Sequence, residues 1–109
     1  MGIFGIMEKV NKEETENVIQ ARLNQSFSIV LSSLPTAGYS WIVDFDSLFL
    51  NLESDRFQIA QPQAIGSSGQ QIFAFTPIRT GSTKVTAIYK RPWENKAEYE
   101  RKFIVEISE

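Results

Sequence analysis

"QSFSIVLSSLPTAGYSWIVDF", residues 25–45, decides the fold. In its first half Phe27, Ile29 and Leu31 alternate with Ser26, Ser28, Val30 and Ser32. In its second half Tyr39, Trp41 and Val43 fall together on one side. A repeat of two is the side-chain period of a β-strand, whose successive residues point to opposite faces. Between the halves stand Pro35, which fixes φ, and Gly38, which permits a positive one, so the chain turns there. Two strands joined by a stiff turn are the unit from which the rest is read.

The same period recurs outward. "QQIFAFTP" (70–77) sets Phe73 and Phe75 together, and "STKVTAIYK" (82–90) sets Val85, Ala87 and Tyr89 on one face and Ile88 on the other. "RKFIVEIS" (101–108) sets Phe103, Val105 and Ile107 against Lys102 and Glu106. These segments are rich in β-branched and aromatic residues and are bounded by Gly, Pro, Ser and Asn. "KVNKEETENVIQARL" (9–23) admits two readings: a helix capped by Asn11 and Glu14, or an edge strand over residues 18–23 after a polar lead-in. The strand is the preferred reading. "DFDSLFLNLESDRFQI" (44–59) predicts a short helical turn near residues 47–50 and a strand around residues 56–59. About seven short strands with turns between them predict an all-β sandwich, with Trp41 in its core.

Composition narrows the chemistry. The chain has 109 residues, enough for one core, with 11 basic and 13 acidic side chains and a net charge of −2. No block of like charge suggests a nucleic-acid partner. There is no cysteine and no histidine. Disulfides, thiol nucleophiles, Ser-His and Cys-His catalysis and ordinary zinc sites are therefore excluded. No metal or cofactor is expected. No apolar run approaches the ~20 residues that cross a bilayer. "MGIFGIMEKV" is too short for a signal peptide, and Ile6 stands where an N-myristoylation motif wants Ser or Thr. The expected compartment is the cytoplasm, or a lysosomal, vesicular or extracellular one if a leader has been removed. Residues 1–16 read as an N-terminal extension, disordered or adding a strand, and residues 17–109 as one domain, monomeric when free.

Three loops are more specific than a connection requires. "SSLPTAGY" (32–39) is stiffened by Pro35, and "PQAIGSSGQQ" (62–71) carries Gly66 and Gly69. For both, an ordinary turn is the simpler reading. "KRPWENKAE" (90–98) differs, because Trp93 follows Pro92 inside a run of charges. A lid folded over the sandwich end, or a chance exposed aromatic, are the plain explanations. Against them, Trp and Arg are the residue types that concentrate binding energy, and Arg91 stands beside Trp93.

Three of these motifs, in order, resemble the chagasin family of inhibitors of papain-like cysteine proteases. "LPTAGYSW" (34–41) resembles its Asn-Pro-Thr-Thr-Gly-Tyr/Phe loop followed by Trp. "GSSGQQIFAF" (66–75) resembles its Gly-rich loop and Phe-x-Phe strand, and "YKRPWE" (89–94) its Arg-Pro-Trp-Glu loop. The resemblance implies an immunoglobulin-like β-sandwich that is not an enzyme, with three loops at one end forming a wedge for a protease cleft. The residues it assigns to protease binding are Leu34, Pro35, Thr36, Ala37, Gly38, Tyr39, Gly66, Ser67, Ser68, Gly69, Arg91, Pro92, Trp93 and Glu94. Thr36 would approach the catalytic cysteine and histidine, and Trp93 would stack on the protease with Arg91 adding hydrogen bonds. The backbone of residues 66–69 would run along the substrate-binding side. Leu34 stands where the family has Asn, and Ala37 where it has a second Thr.

Two other readings compete. A sandwich adhesion or carbohydrate-binding module would show aromatics on a flat sheet face. A glycoside hydrolase would draw two carboxylates from Asp44, Asp46, Glu53 and Asp55, whose simpler reading is solvated loop acids. Their spacing also lacks the pattern of a dedicated calcium loop.

Overall fold

In the computed structural model the described residues are 16–33, 38–59 and 69–109. They form seven strands: β1 (Glu16–Arg22), β2 (Phe27–Ser33), β3 (Ser40–Phe45), β4 (Leu50–Ile59), β5 (Gly69–Pro77), β6 (Gly81–Lys90) and β7 (Tyr99–Ser108). One sheet has the order β1-β7-β6-β3 and the other β2-β5-β4. All neighbours are antiparallel except β1 and β7, which run parallel from Glu16 opposite Lys102 to Arg22 opposite Ser108. The expected all-β sandwich is present.

The period-two faces become the core. Ile29 and Leu31 from β2, Phe73 and Phe75 from β5, Val85 and Ala87 from β6, and Phe103 and Val105 from β7 are buried between the sheets with Trp41. Burying each of the larger side chains contributes about 1.5–3 kcal/mol. Phe75 stacks on Phe27 and meets the edge of the Phe45 ring. Outward positions such as Ser28, Ile42, Lys84 and Lys102 remain solvated, the pattern expected where each sheet has one wet face.

Residues 44–59 depart from the sequence reading. The turn expected near residues 47–50 is a single hydrogen-bonded turn: Phe49 and Leu50 N–H donate to the Asp46 carbonyl, and Asp46 Oδ1 accepts from Leu48 N–H at 2.9 Å. It leads straight into β4, which is far longer than residues 56–59 because it starts at Leu50. A β-bulge between Leu52 and Ser54 hides this strand from a period-two reading. Before the bulge Leu52 pairs with Phe75; after it Asp55 pairs with Phe73 and Phe57 with Gln71. One extra residue moves the inward set from even to odd positions. The strand expected over residues 18–23 is β1, on a sheet edge; Asn11 and Glu14 of the alternative helix lie outside the described residues.

Candidate functional site

Strand register gathers the roots of three connections at one end of the sandwich. In one sheet Ser33, where β2 ends, lies opposite Gly69, where β5 begins, and Gly69 lies opposite Ile59, where β4 ends. In the other, Ser40 at the start of β3 lies opposite Lys90 at the end of β6, and Tyr99 at the start of β7 lies opposite Tyr89. The β2–β3, β4–β5 and β6–β7 connections therefore leave from the same pole. Leu34, Pro35, Thr36, Ala37, Gly66, Ser67 and Ser68 lie outside the described residues.

One side chain ties the two sheets together beneath these roots, a residue to which the sequence alone assigns no role. Gln71 of β5 is buried. Its Oε1 accepts from Trp41 N–H at 2.9 Å, and its Nε2 donates to the Trp41 carbonyl at 3.0 Å and to Asp55 Oδ1 at 3.3 Å. Trp41 sits on β3, an edge strand of the opposite sheet, so the amide pairs with it as a neighbouring strand would. Trp41 Nε1 then donates to the Ser32 carbonyl at 2.8 Å, closing the contact on β2. The signal was available: Gln71 has the parity of Phe73 and Phe75, and a polar residue on an inward face must find partners.

The β6–β7 connection is braced from within. Glu94 N–H donates to the Arg91 carbonyl at 3.0 Å, closing a four-residue β-turn. Pro92 occupies its second position, where a fixed φ fits, and Trp93 its third. The Arg91 guanidinium donates to Glu94 Oε2 at 2.8 Å, and Lys90 Nζ to the Glu94 carbonyl at 2.6 Å. The Glu94 hydrogen bond raises the Arg91 pKa further, so the guanidinium stays charged. At the base, Glu98 N–H donates to the Tyr89 carbonyl at 2.7 Å.

An aromatic series runs from the core to this tip. Tyr89 packs on Trp41 and on Tyr39, with ring centroids 4.8 and 5.2 Å away. Arg91 lies over Tyr39 at 4.9 Å and over Trp93 at 5.6 Å, a cation between two rings. Trp93 itself is 70 % exposed. It rests beside Gly38 and does not roof the core, so the lid reading fails.

Gly38 explains its own identity. Its φ is +84°, and a Cβ there would stand 3.2 Å from Trp93 Cη2 and 3.6 Å from Arg91 Cδ. The β2–β3 connection thus touches the β6–β7 turn through a glycine. Replacing Gly38 with alanine should lower stability by about 1–2 kcal/mol through backbone strain. It should also push the indole from its seat, so calorimetry and inhibition titration should both register the change. Gly69 answers to the sheet instead: a Cβ there would lie 2.5 Å from the Gln58 carbonyl and from the Phe57 ring.

The acidic residues do not assemble. Asp46 serves its turn, Asp55 holds Gln71, and Glu53 accepts from Thr76 Oγ1. Among the described residues no group of three or more His, Cys, Asp or Glu is placed to hold a metal. The exposed aromatics on the described strands, Phe57 near the end of β4 and Tyr99 at the start of β7, belong to different sheets, so neither sheet offers a flat face of several aromatics.

Comparison with known proteins agrees with this geometry. The family model described as chagasin family peptidase inhibitor I42 matches residues 20–107. Amoebiasin-1 of Entamoeba histolytica is 29% identical over 100 residues, spanning 91% of this chain and 96% of its own. Amoebiasin-2 of the same organism is 25% identical over 98 residues, spanning 87% and 79%. The crystal structure of the cysteine protease inhibitor EhICP2 from Entamoeba histolytica shares the fold with a TM-score of 0.76, at 21% identity over 89% of this chain and 91% of that one. PbICP-C, solved in complex with falcipain-2, shares it with a TM-score of 0.59, at 13% identity over 85% and 88%. A match that begins inside β1 and ends inside β7 spans nearly all of the sandwich, and on that extent the chain belongs to the chagasin family of peptidase inhibitors, which are not enzymes.

Proposed function

We propose that this chain is a tight, reversible, non-covalent inhibitor of papain-like cysteine proteases that fills the active-site cleft with its three clustered connections. The observation that carries the reading is the convergence of their roots at one pole, with Trp93 held exposed on a braced turn among them. An apolar side chain of that size, left in water and aimed by a proline, is suited to a pocket on another molecule.

Occlusion is sufficient for inhibition. The chain has no thiol or imidazole with which to form or assist a covalent bond. What it must avoid is a peptide carbonyl in attack geometry at the protease nucleophile. The strand ends from which the connections leave are paired within their sheets and tied across them by Gln71, which fixes the roots of the wedge. Thr36, between Pro35 and Ala37, is the residue we assign to the catalytic dyad; the Gly-rich connection and the Arg91–Glu94 turn grip the two sides. Stiff presentation also lowers the ordering cost of docking, so an interface of roughly 1,600 Å² reaches nanomolar affinity, about 12 kcal/mol.

Titration of papain and of a cathepsin L-like enzyme with the purified protein tests this. Residual activity should fall toward zero near equimolar inhibitor and return on dilution, with the inhibitor recovered uncut. Full activity at micromolar protein, or steady cleavage of the connections, would overturn the reading.

A further inference from the structure

The last residues of β4 face the core side and yet stay in water. Phe57 lies opposite Gln71, and Ile59 opposite Gly69. Residues directly opposite each other share one face of a sheet. Gln71 is turned toward the other sheet, where it pairs with Trp41, so Phe57 and Ile59 stand on that same inner side. Gly69, Gln71, Phe73 and Phe75 are all buried there, whereas Phe57 is 40 % and Ile59 48 % exposed.

The stacking of the sheets accounts for the exposure. β3 is an outermost strand of the facing sheet, and its Trp41 backbone meets β5 through Gln71. β4 lies one strand further out than β5, so no described strand of the facing sheet lies over its end. Single exposed apolar side chains need no explanation, but these two form one patch. Alternate residues of a strand stand about 7 Å apart on one face. The Phe57 ring also fills the place that a side chain at position 69 would take, since a Cβ there would stand 2.5 Å from its Cζ. The patch is thus continuous with Gly69, where the β4–β5 connection rejoins the sheet at the pole of the three connections.

We propose that Phe57 and Ile59 form an apolar shoulder of the wedge, which packs on an apolar wall of the protease cleft beside the β4–β5 connection. This rests on the wedge reading above. The occupant is the protease and not a second copy of the chain, because a second copy seated on the patch would crowd the connection that enters the cleft. The Phe57 ring is already placed against Gly69, and Ile59 is β-branched with few rotamers to lose, so the shoulder docks at a small ordering cost.

The test is full-length protein carrying Ile59→Glu, Ile59→Thr or Leu48→Glu, each titrated against papain beside the unaltered chain, with a melting temperature for each. Leu48 is 64 % exposed in the turn between β3 and β4, at the opposite pole, and controls for the added charge. Ile59→Glu should weaken inhibition roughly tenfold or more. Ile59→Thr, which keeps a β-branched strand former, should weaken it about threefold at the parent's melting temperature, and it decides the matter if the glutamate variant proves less stable. Leu48→Glu should inhibit like the parent. Equal inhibition by the parent and both Ile59 variants would overturn the shoulder and leave the wedge standing. An equal loss in Leu48→Glu, or a lowered melting temperature in both Ile59 variants, would assign the effect to charge or to the fold and overturn the shoulder as well. Failure of the unaltered chain to inhibit would overturn both readings.

Discussion

Trp93→Ala should weaken inhibition of a papain-like protease by roughly 30- to 1,000-fold, the ~2–4 kcal/mol of a truncated anchor, while leaving the melting temperature unmoved. The two halves of that expectation come from separate facts. The indole is 70 % exposed and supplies little to the core, so its loss costs the fold almost nothing. Yet its position is not free. The turn closed by Glu94 N–H and the Arg91 carbonyl, the Arg91–Glu94 ion pair and the Gly38 contact hold it in one place before any partner arrives. An anchor ordered in advance loses little entropy when it docks, so its burial appears almost fully as affinity. The ion pair by itself is partly exposed and contributes little stability; its value is in orienting the turn. Inhibition constants and melting curves for the two proteins decide the matter. Unchanged inhibition would remove Trp93 from the interface.

Gln71→Leu should show the opposite division, a loss of about 2–4 kcal/mol in stability. Leucine is near in size but offers no hydrogen bonds. It strands the Trp41 N–H and carbonyl, which Gln71 pairs at 2.9 and 3.0 Å, and it releases Asp55. Each buried polar group left unmatched costs about 1–3 kcal/mol. With about 4–8 °C for each kcal/mol in a domain of this size, the melting temperature should fall by ten degrees or more. Inhibition should also weaken at temperatures where the variant is still folded, because the amide links the strand that follows the β2–β3 connection to the strand that follows the β4–β5 connection. Thermal denaturation followed by circular dichroism gives the first quantity and protease titration at 20 °C the second. A variant as stable as the parent would show that water replaces the amide.

What the sequence made legible divides along physical lines. The inward faces of β2, β5, β6 and β7 were readable because nothing interrupts their alternation, and Trp41 fell into the core with them. Most of β4 was not, because the bulge after Leu52 shifts the phase halfway along and no periodic template spans the shift. The role of Gln71 was missed because it stands where the Gly-rich loop and the strand segment overlap; only its phase relative to Phe73 and Phe75 places it inside. At the candidate site, Pro92 and Trp93 were conspicuous from composition alone. That Glu94 and Lys90 brace the turn from below was not, since the arginine and lysine partners of one carboxyl-bearing residue are chosen by geometry and not by spacing. The parallel partner of β1 was likewise unreadable, because parallel pairing joins segments from the two ends of the described chain, and no local signal connects them.

That last pairing governs when the molecule can assemble. Among the described strands β1 is the earliest, and its only sheet neighbour, β7, is the latest. During synthesis β1 must wait, unmatched, until β7, the last of the described strands, has left the ribosome, and closing so long a loop makes its docking slow. The four-stranded sheet is thus completed only once β7 has emerged, and the register of its β1 edge is settled late in folding.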